Sequence, residues 1–588
     1  MTSKPRAWVL PAIVALALVL RLAHFFAVHD RPFFAQLAMD SQEYDRLAQV
    51  IASGHWIGSE VFFQAPLYPY VLAVVYKAFG HSTDAVYLLQ IAASLFGIFA
   101  LYRAVRTMGD ERLALIAAAL AAAYGPFLFY DVLVLKESLA VTMAAALLWA
   151  LASPGTARRW LGAGVILGIL AMLRENAVLL IPFLLLPAFR PDDGLRSFVR
   201  RASAFVAGVA LAMSPVAVHN GLAGGSWLPT GSSGGLNFYL GNNEKADGTW
   251  RPLVPGKQIP ALERAEPQRI AEQGSGRKLT PGEVSSFWLH RSLRWAKAHP
   301  LDFVRLQFRK LGHYFDWYEQ PDAVDYYWVR SHSPVYRLPL VEFSTVTLLA
   351  VFGLFASRRN LRRFAPSLLF AAGWIVSTVV FFPFARYRLP LVPAILPLCA
   401  LPVAATWDAW RARAPRRFAG VAALAAAFSC SLIPFTPKMD LVYYNLARLA
   451  EERGDDASAS REYQAAYDAD PTNFLACLNL GNVAVRHGDW PTALRLFREA
   501  RALEPGSDDV EANLGGALLA TGALDEAAVH FEAALKLNPQ NRGALHNDAL
   551  LLIRQGDVAG ARAIVNRMLA LDPADAGAIQ LGKKLDSR

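Results

Sequence analysis

Apolar residues in the first 435 positions run on for lengths that no surface helix needs. Such runs recur near residues 7–28, 84–102, 114–129, 132–152, 161–173, 177–188, 202–218, 338–356, 366–383, 389–405 and 418–434. A helix of about 20 residues crosses about 30 Å of hydrocarbon, so the pattern predicts an all-α, polytopic membrane helical bundle of about eleven spans. Basic residues collect on alternate connections: Arg103, Arg106 and Arg112; Arg158 and Arg159; Arg190, Arg196, Arg200 and Arg201; Arg358, Arg359, Arg362 and Arg363; Arg411, Arg413, Arg416 and Arg417. With eleven spans all of them share a side with Lys4 and Arg6, the side that lysine and arginine mark as cytoplasmic. The amino terminus is then inside and the carboxyl terminus outside, as in a multi-pass protein of a bacterial inner membrane with its last domain periplasmic or extracellular. Arg21 follows the first apolar stretch and no small-residue cleavage site does, so the segment reads as a retained anchor.

Two connections on the outer side, about 29–83 and 220–337, are long, rich in aromatics, Gly and Pro, and alternate polar with apolar residues. Connections of that length are functional or disordered, and their aromatic content argues against disorder. The outer face is therefore the expected working face of a module spanning residues 1–435.

From residue 441 to 588 the pattern changes to a 34-residue period. It carries Pro471, Pro505, Pro539 and Pro573; Asn445, Asn479, Asn513 and Asn547; Gly454, Gly488, Gly522 and Gly556; Ala459, Ala493, Ala527 and Ala561; and Tyr463, Phe497, Phe531 and Val565. This resembles the tetratricopeptide repeat, a helix–turn–helix unit whose Gly permits the inter-helix turn and whose Pro ends the second helix, stacked into an α-solenoid. The small residues at the Gly and Ala positions are expected to let paired helices approach closely, and Leu581–Leu585 to belong to a capping helix. Such repeats offer a surface to a protein partner; a plain structural cap on the membrane module is the alternative.

Composition sharpens this division. The chain is 54% hydrophobic and 18% charged, against about 25% charged in an average soluble chain. From Asp440 onward 15 Lys and Arg face 22 Asp and Glu, a net of −7, whereas the preceding part carries a net of +17. The basic residues lie between apolar runs, where membrane topology puts them, so no nucleic-acid partner is implied. Three scattered cysteines give no disulfide framework and no metal-ligand spacing. There is no Walker A loop, no GxGxxG dinucleotide unit and no His-Glu-x-x-His pair. The acidic pair Asp192 and Asp193 falls on the inner side, away from an outer site.

Candidate chemistry sits in three places. In MDSQEYDRLAQVI, helical spacing puts Asp40, Tyr44, Leu47 and Ile51 on one face. A carboxylate on an apolar face is partly desolvated, which suits a general base; Asp40 with Glu43 is equally a capping-box pattern. In FLFYDVLVLKESLA, Asp131 stands at the outer end of one run, with Lys136 and Glu137 shortly after. Asp131 could simply cap the next helix, but adjacent ionisable groups within an apolar segment are costly unless paired or functional. Arg174 and Glu175 make a similar pair, functional or a surface ion pair. In VVFFPFARYRLPLVP, Arg386 and Arg388 flank Tyr387 on the outer side, against the positive-inside trend. Two guanidiniums there can hold a lipid phosphate or merely snorkel to the interface, and Lys310 could add a compact charge.

The anchor, the MDSQEY loop, the following QAPLYPY, the carboxylate at Asp131, the GSSGGLNFYLGNNEKADGTW segment and RYRLPLVP together resemble the C-type glycosyltransferases (GT-C) over roughly residues 7–405. Within that class they are similar to the protein O-mannosyltransferases and the aminoarabinose transferases of lipid A (glycosyltransferase family 39). The resemblance implies transfer of a sugar from a polyprenyl-phosphate donor to a glycan, lipid or protein acceptor of the envelope, with inversion. It implies catalytic roles for Asp40 and Asp131, and substrate binding by Glu43, Tyr44, Lys136, Glu137, Arg174, Lys310, Arg386, Tyr387 and Arg388. A divalent metal is used by some members and does not carry over, so no cofactor is assigned. An oligosaccharide transferase or polysaccharide ligase, and a non-enzymatic membrane scaffold, are the competing readings.

Overall fold

The computed structural model describes residues 7–153, 155–188, 194–257, 260–321, 324–358, 361–411 and 435–586. The expected span at 418–434 lies outside the described residues, as do Lys4, Arg6, Arg190, Asp192, Asp193, Arg359, Arg413, Arg416 and Arg417. The chain forms two compact units, one of Met1–Arg251 with Pro260–Pro437, the other of Pro252–Ile259 with Lys438–Arg588.

The first unit is helical, and among the described residues β pairing is confined to one parallel bridge between Tyr124 and Val341. The alternating polar and apolar residues of the long outer connections form helices instead, including Asp40–Ala52, Leu67–Phe79, Pro281–Ala298 and Pro300–Tyr314. Among the described residues four helices are long and apolar enough to cross a membrane: Val9–Val28, Thr83–Met108, Gly194–Gly224 and Ala385–Ala409. Shorter apolar helices, among them Glu137–Ala152, Glu175–Ala188 and Phe343–Ser357, occupy other runs. The run 114–129 is split by Tyr124 into Glu111–Ala122 and Gly125–Asp131. Asp131 thus closes a short helix and does not cap the next one, which starts at Glu137.

Close helix pairing is bought by glycine at one interface in particular. Ala157–Leu173 packs on Gly194–Gly224, and a Cβ at Gly164 would overlap the Phe205 carbonyl, while one at Gly208 would overlap that of Leu161. Small residues four apart let membrane helices approach to backbone contact, where dispersion replaces the hydrophobic effect as the driving force.

In the second unit each repeat is a helix pair, such as Phe474–Arg486 with Trp490–Leu503 and Asp508–Thr521 with Leu524–Leu537. The periodic Ala459, Ala493, Ala527 and Ala561 are all fully buried, as close packing requires, and Leu581 and Leu585 are buried on the last helix, Ala576–Asp586. The periodic glycines fill the turn role expected of them but not the close-approach role. Gly454, Gly488, Gly522 and Gly556 have φ of +72, +71, +87 and +81°, and nothing lies within 4 Å of a Cβ built on any of them. They serve the left-handed turn between helices, not close approach. Close approach falls to Gly481 and Gly515, where a Cβ would run into the rings of Phe497 and Phe531.

Candidate active site

The helix Asp40–Ala52 opens without a side-chain cap, its preceding residue Met39 taking φ of +53°. Glu43 binds Arg46 on the surface, at 2.7 and 2.8 Å, instead of returning to the helix start. The capping-box reading of Asp40 and Glu43 is therefore not realised, and Glu43 stands away from the substrate position expected for it. Asp40 turns inward. Its Oδ2 accepts from Arg386 Nη2 at 2.8 Å and its Oδ1 from Gln64 Nε2 at 3.2 Å. Tyr44, one turn on, donates to Gln64 Oε1 at 3.0 Å and packs edge-to-face on Tyr68. Burial pushes the Asp40 carboxyl up, but the charges of Arg386 and Lys136, with the hydrogen bonds of Arg386 and Gln64, outweigh it and hold it below the usual carboxylate range.

Cations and one further carboxylate gather beside this pair. Lys136 lies 5.5 Å from the Tyr44 ring and, among the described residues, has no carboxylate partner. Arg174 pairs with Glu137, both buried, and also covers the Tyr387 ring at 4.5 Å. Arg386 approaches the same ring at 5.5 Å. Arg174 Nε and Glu137 Oε2 are buried without a hydrogen-bond partner among the described residues, a state that costs free energy unless a ligand completes it. Asp40 also lines a small open-sided cleft whose other walls include Phe33, Leu37, Phe129, Tyr130 and Leu135. The site thus combines an apolar cleft, an ionised carboxylate and three cationic side chains.

Residues 64–220 match the family of dolichyl-phosphate-mannose-protein mannosyltransferases. With the apolar helices of the first unit, the match supports a membrane glycosyltransferase of the GT-C type. It includes Gln64, Lys136, Glu137 and Arg174, while Asp40 and Arg386 lie on either side of it. Residues 478–542 and 518–584 match two tetratricopeptide repeat families. No curated protein matches the chain. Among solved structures it is similar to the MamA protein, at 22% identity over 24% of this chain and 79% of that one, TM-score 0.23. It is also similar to a Thermobaculum terrenum O-GlcNAc transferase mutant, at 24% identity over 22% and 26% of the two chains, TM-score 0.22. A third is YrrB, a tetratricopeptide protein with an unusual peptide-binding site, at 18% identity over 31% and 91%, TM-score 0.23. Likeness at these scores carries no argument about function.

In the first unit the structure brings Asp40, Tyr44, Lys136, Glu137, Arg174, Arg386 and Tyr387 into one cluster. It directs three other expected residues elsewhere. Asp131 is 1% exposed and its Oδ2 accepts a hydrogen bond from Arg21 Nε at 2.7 Å, with Ser94 on the same guanidinium. The pair pins the cleft-lining segment 129–135 to the first helix, a positioning place for a residue expected to react. Arg388 pairs with Glu319 at 2.8 Å and donates to the carbonyls of Tyr314, Asp316 and Tyr318. Its divergence from Arg386 follows from the 3₁₀-helix Ala385–Leu391, in which three residues per turn set positions i and i+2 on different faces. Lys310 is fully buried and bridges Asn242 Oδ1 at 2.8 Å and Val380 O at 3.4 Å; burial pushes its ammonium down to about 7. Glu175 is not the partner of Arg174, since it accepts from Gly231 N at 2.8 Å.

Two further side chains, Gln64 and Arg21, hold candidate residues in place. Gln64 was visible only as the first residue of QAPLYPY, and an amide carries no charge signal. Arg21 stood out as a charge in an apolar helix, a signal by itself of a buried partner.

Among the described residues no group of three or more His, Cys, Asp or Glu could hold a metal ion.

Proposed function

We propose that the first unit transfers a sugar from a polyprenyl-phosphate donor to a hydroxyl of an envelope acceptor, with inversion at the anomeric carbon. In this reading the module sits in a bacterial inner membrane, with its amino terminus in the cytoplasm and both the active site and the repeats on the outer side; the alternating arginine-rich loops support that orientation.

The observation that carries the proposal is Asp40, ionised, fixed by Arg386 and Gln64, on the wall of an apolar cleft. The acceptor oxygen attacks the anomeric carbon opposite the phosphate. Its proton passes to Asp40, a carbon–oxygen bond forms on one face, and the bond to the phosphate oxygen breaks on the other. The electron pair leaves with the lipid phosphate, whose growing charge Lys136, Arg174 and Arg386 stabilise more in the transition state than in the ground state. The cleft walls Phe33, Leu37, Phe129 and Leu135 suit apolar parts of the lipid donor.

Arg386 then has two successive partners. In the resting site it lowers the basicity of Asp40. Once a donor phosphate engages Arg386 and Lys136, their pull on Asp40 weakens, and the carboxylate becomes a stronger base as the acceptor arrives. Donor binding before acceptor follows from this arrangement.

Asp40→Asn tests the reading, because it keeps shape and removes proton-accepting power. With purified full-length protein in lipid nanodiscs and polyprenyl-phosphate sugars as donors, turnover should fall by roughly 10²–10⁴-fold while thermal stability holds. Undiminished transfer would remove Asp40 from the mechanism.

A further inference from the structure

The second compact unit contains more than repeats, since it takes in Pro252–Ile259. Within that segment Lys257 N donates to Val254 O at 3.2 Å, and Gly256 between them has φ of +86°. Proline at the second position and a left-handed glycine at the third are the requirements of a type II turn. The turn presents the Lys257 ammonium to two carboxylates of the helix Asp508–Thr521, 2.6 Å from Asp509 Oδ2 and 3.6 Å from Asp508 Oδ2. A Cβ on Gly256 would lie 3.6 Å from the Phe474 ring and 4.0 Å from Leu478, so the turn also rests on the first helix of the preceding repeat.

The acid pair is held ready for a cation. Asp508 Oδ2 accepts from the amides of Asn538 and Asn541, each at 2.8 Å, and Asp509 Oδ1 from Asn541 at 3.0 Å. The side chain of Asp508 is only 4% exposed. The repeat fold does not require these acids. As a pair they occur once: the same positions hold Phe474 and Leu475 one period earlier, Arg542 and Gly543 one period later, and in the first repeat Asp440, which accepts from Asn473, is followed by Leu441. A carboxylate pair this close costs stability through mutual repulsion and desolvation unless a cation offsets it.

We propose that the first turn of the third repeat is a recognition site for lysine presented on a Pro-Gly turn, and that its resident ligand is this chain's own residues 252–257. The repeats then carry a tethered peptide, and any partner offering a basic turn must displace it. Tethering gives the resident segment an effective concentration on the order of millimolar, so weak outside ligands are excluded.

Hydrogen exchange at the Gly256 and Lys257 amides of the full-length protein reads occupancy of the site directly. Asp508→Asn with Asp509→Asn keeps shape and removes both charges; exchange at these amides should rise about tenfold or more, with the helices of the other repeats unchanged. On the wild-type protein, a synthetic peptide of residues 252–259 at millimolar concentration should accelerate the same exchange, and the peptide with Lys257→Glu should not. Unchanged exchange in the double variant, or equal action of the two peptides, overturns the proposal. The peptide comparison decides the matter even if the double variant folds poorly.

Discussion

The two units encode their structures in opposite ways. In the repeats every structural position recurs four times, so Ala459, Ala493, Ala527 and Ala561 share one environment and one degree of burial. In the membrane unit nothing recurs, and pairs such as Arg21–Asp131, Arg386–Asp40 and Arg388–Glu319 each occur once and join distant parts of the chain. Redundancy makes a fold legible and a site invisible, because whatever repeats is architecture. The converse holds too: Asp509 stands out beside Asp508 because the same position holds Leu441, Leu475 and Gly543 in the other repeats.

The sharpest way to test this contrast is to substitute neighbouring singular residues. Arg388→Met should leave Glu319 buried without its cation, at a cost of about 3–5 kcal/mol, seen as loss of monodisperse protein on extraction. Arg386→Met, two residues away, should leave folding largely intact and lower kcat/KM by about 10²–10³-fold, as removal of a preorganised charge does. The same variant frees Asp40 from the strongest charge lowering its carboxyl. A base works only when ionised, so the acid limb of the kcat/KM profile, below the usual carboxylate range in the wild type, should move to higher pH. Two variants of equal effect would erase the distinction.

Within the repeats, the comparison is between two kinds of glycine. Gly481→Leu drives a side chain into the Phe497 ring and should cost about 3 kcal/mol by overpacking. Gly488→Ala meets open space and should cost only the about 1–2 kcal/mol of a left-handed backbone. Denaturant unfolding followed on the repeat unit ranks them, and the reverse order would restore crowding as the role of the periodic glycine.

The last test turns on the pH dependence set by Lys310. Its folded-state pKa of about 7 lies below the ordinary lysine value of 10.5, so the unfolded chain binds more protons between those limits. Stability should therefore rise with pH across that window. Thermal unfolding at pH 7 and pH 10 should show the rise in the wild type and a flatter profile in Lys310→Met.

Sequence alone reached much of the architecture and part of the site. Apolar runs and the 34-residue period are summed signals, and each survives errors in single positions. Asp40, Lys136, Glu137, Arg174 and Arg386 were recognisable because charge beside an apolar run demands a reason. Which charge meets which was not recognisable. Arg386 and Arg388 share composition and neighbourhood, and it is the helical winding of Ala385–Leu391, which sets residues two apart on different faces, that sends one to Asp40 and the other to Glu319. Asp131 looked reactive by position, yet its partner Arg21 is 110 residues earlier, a pairing that no local pattern announces. Gln64 failed to register because a neutral amide in a Pro- and Tyr-rich stretch resembles ordinary loop chemistry.

The separation of the paired residues also sets a timetable. A chain made from its amino end brings Arg21 and Asp131 together once the first quarter exists, so the wall of the cleft can be pinned early. Asp40 waits far longer, for Arg386 is 346 residues downstream. Nascent and prematurely terminated chains therefore carry the carboxylate without its guanidinium, and Tyr387 comes only with the same late stretch. A fragment ending before residue 386 therefore lacks the guanidinium that fixes Asp40. The cluster around Asp40 can assemble only when synthesis of the first unit is nearly over.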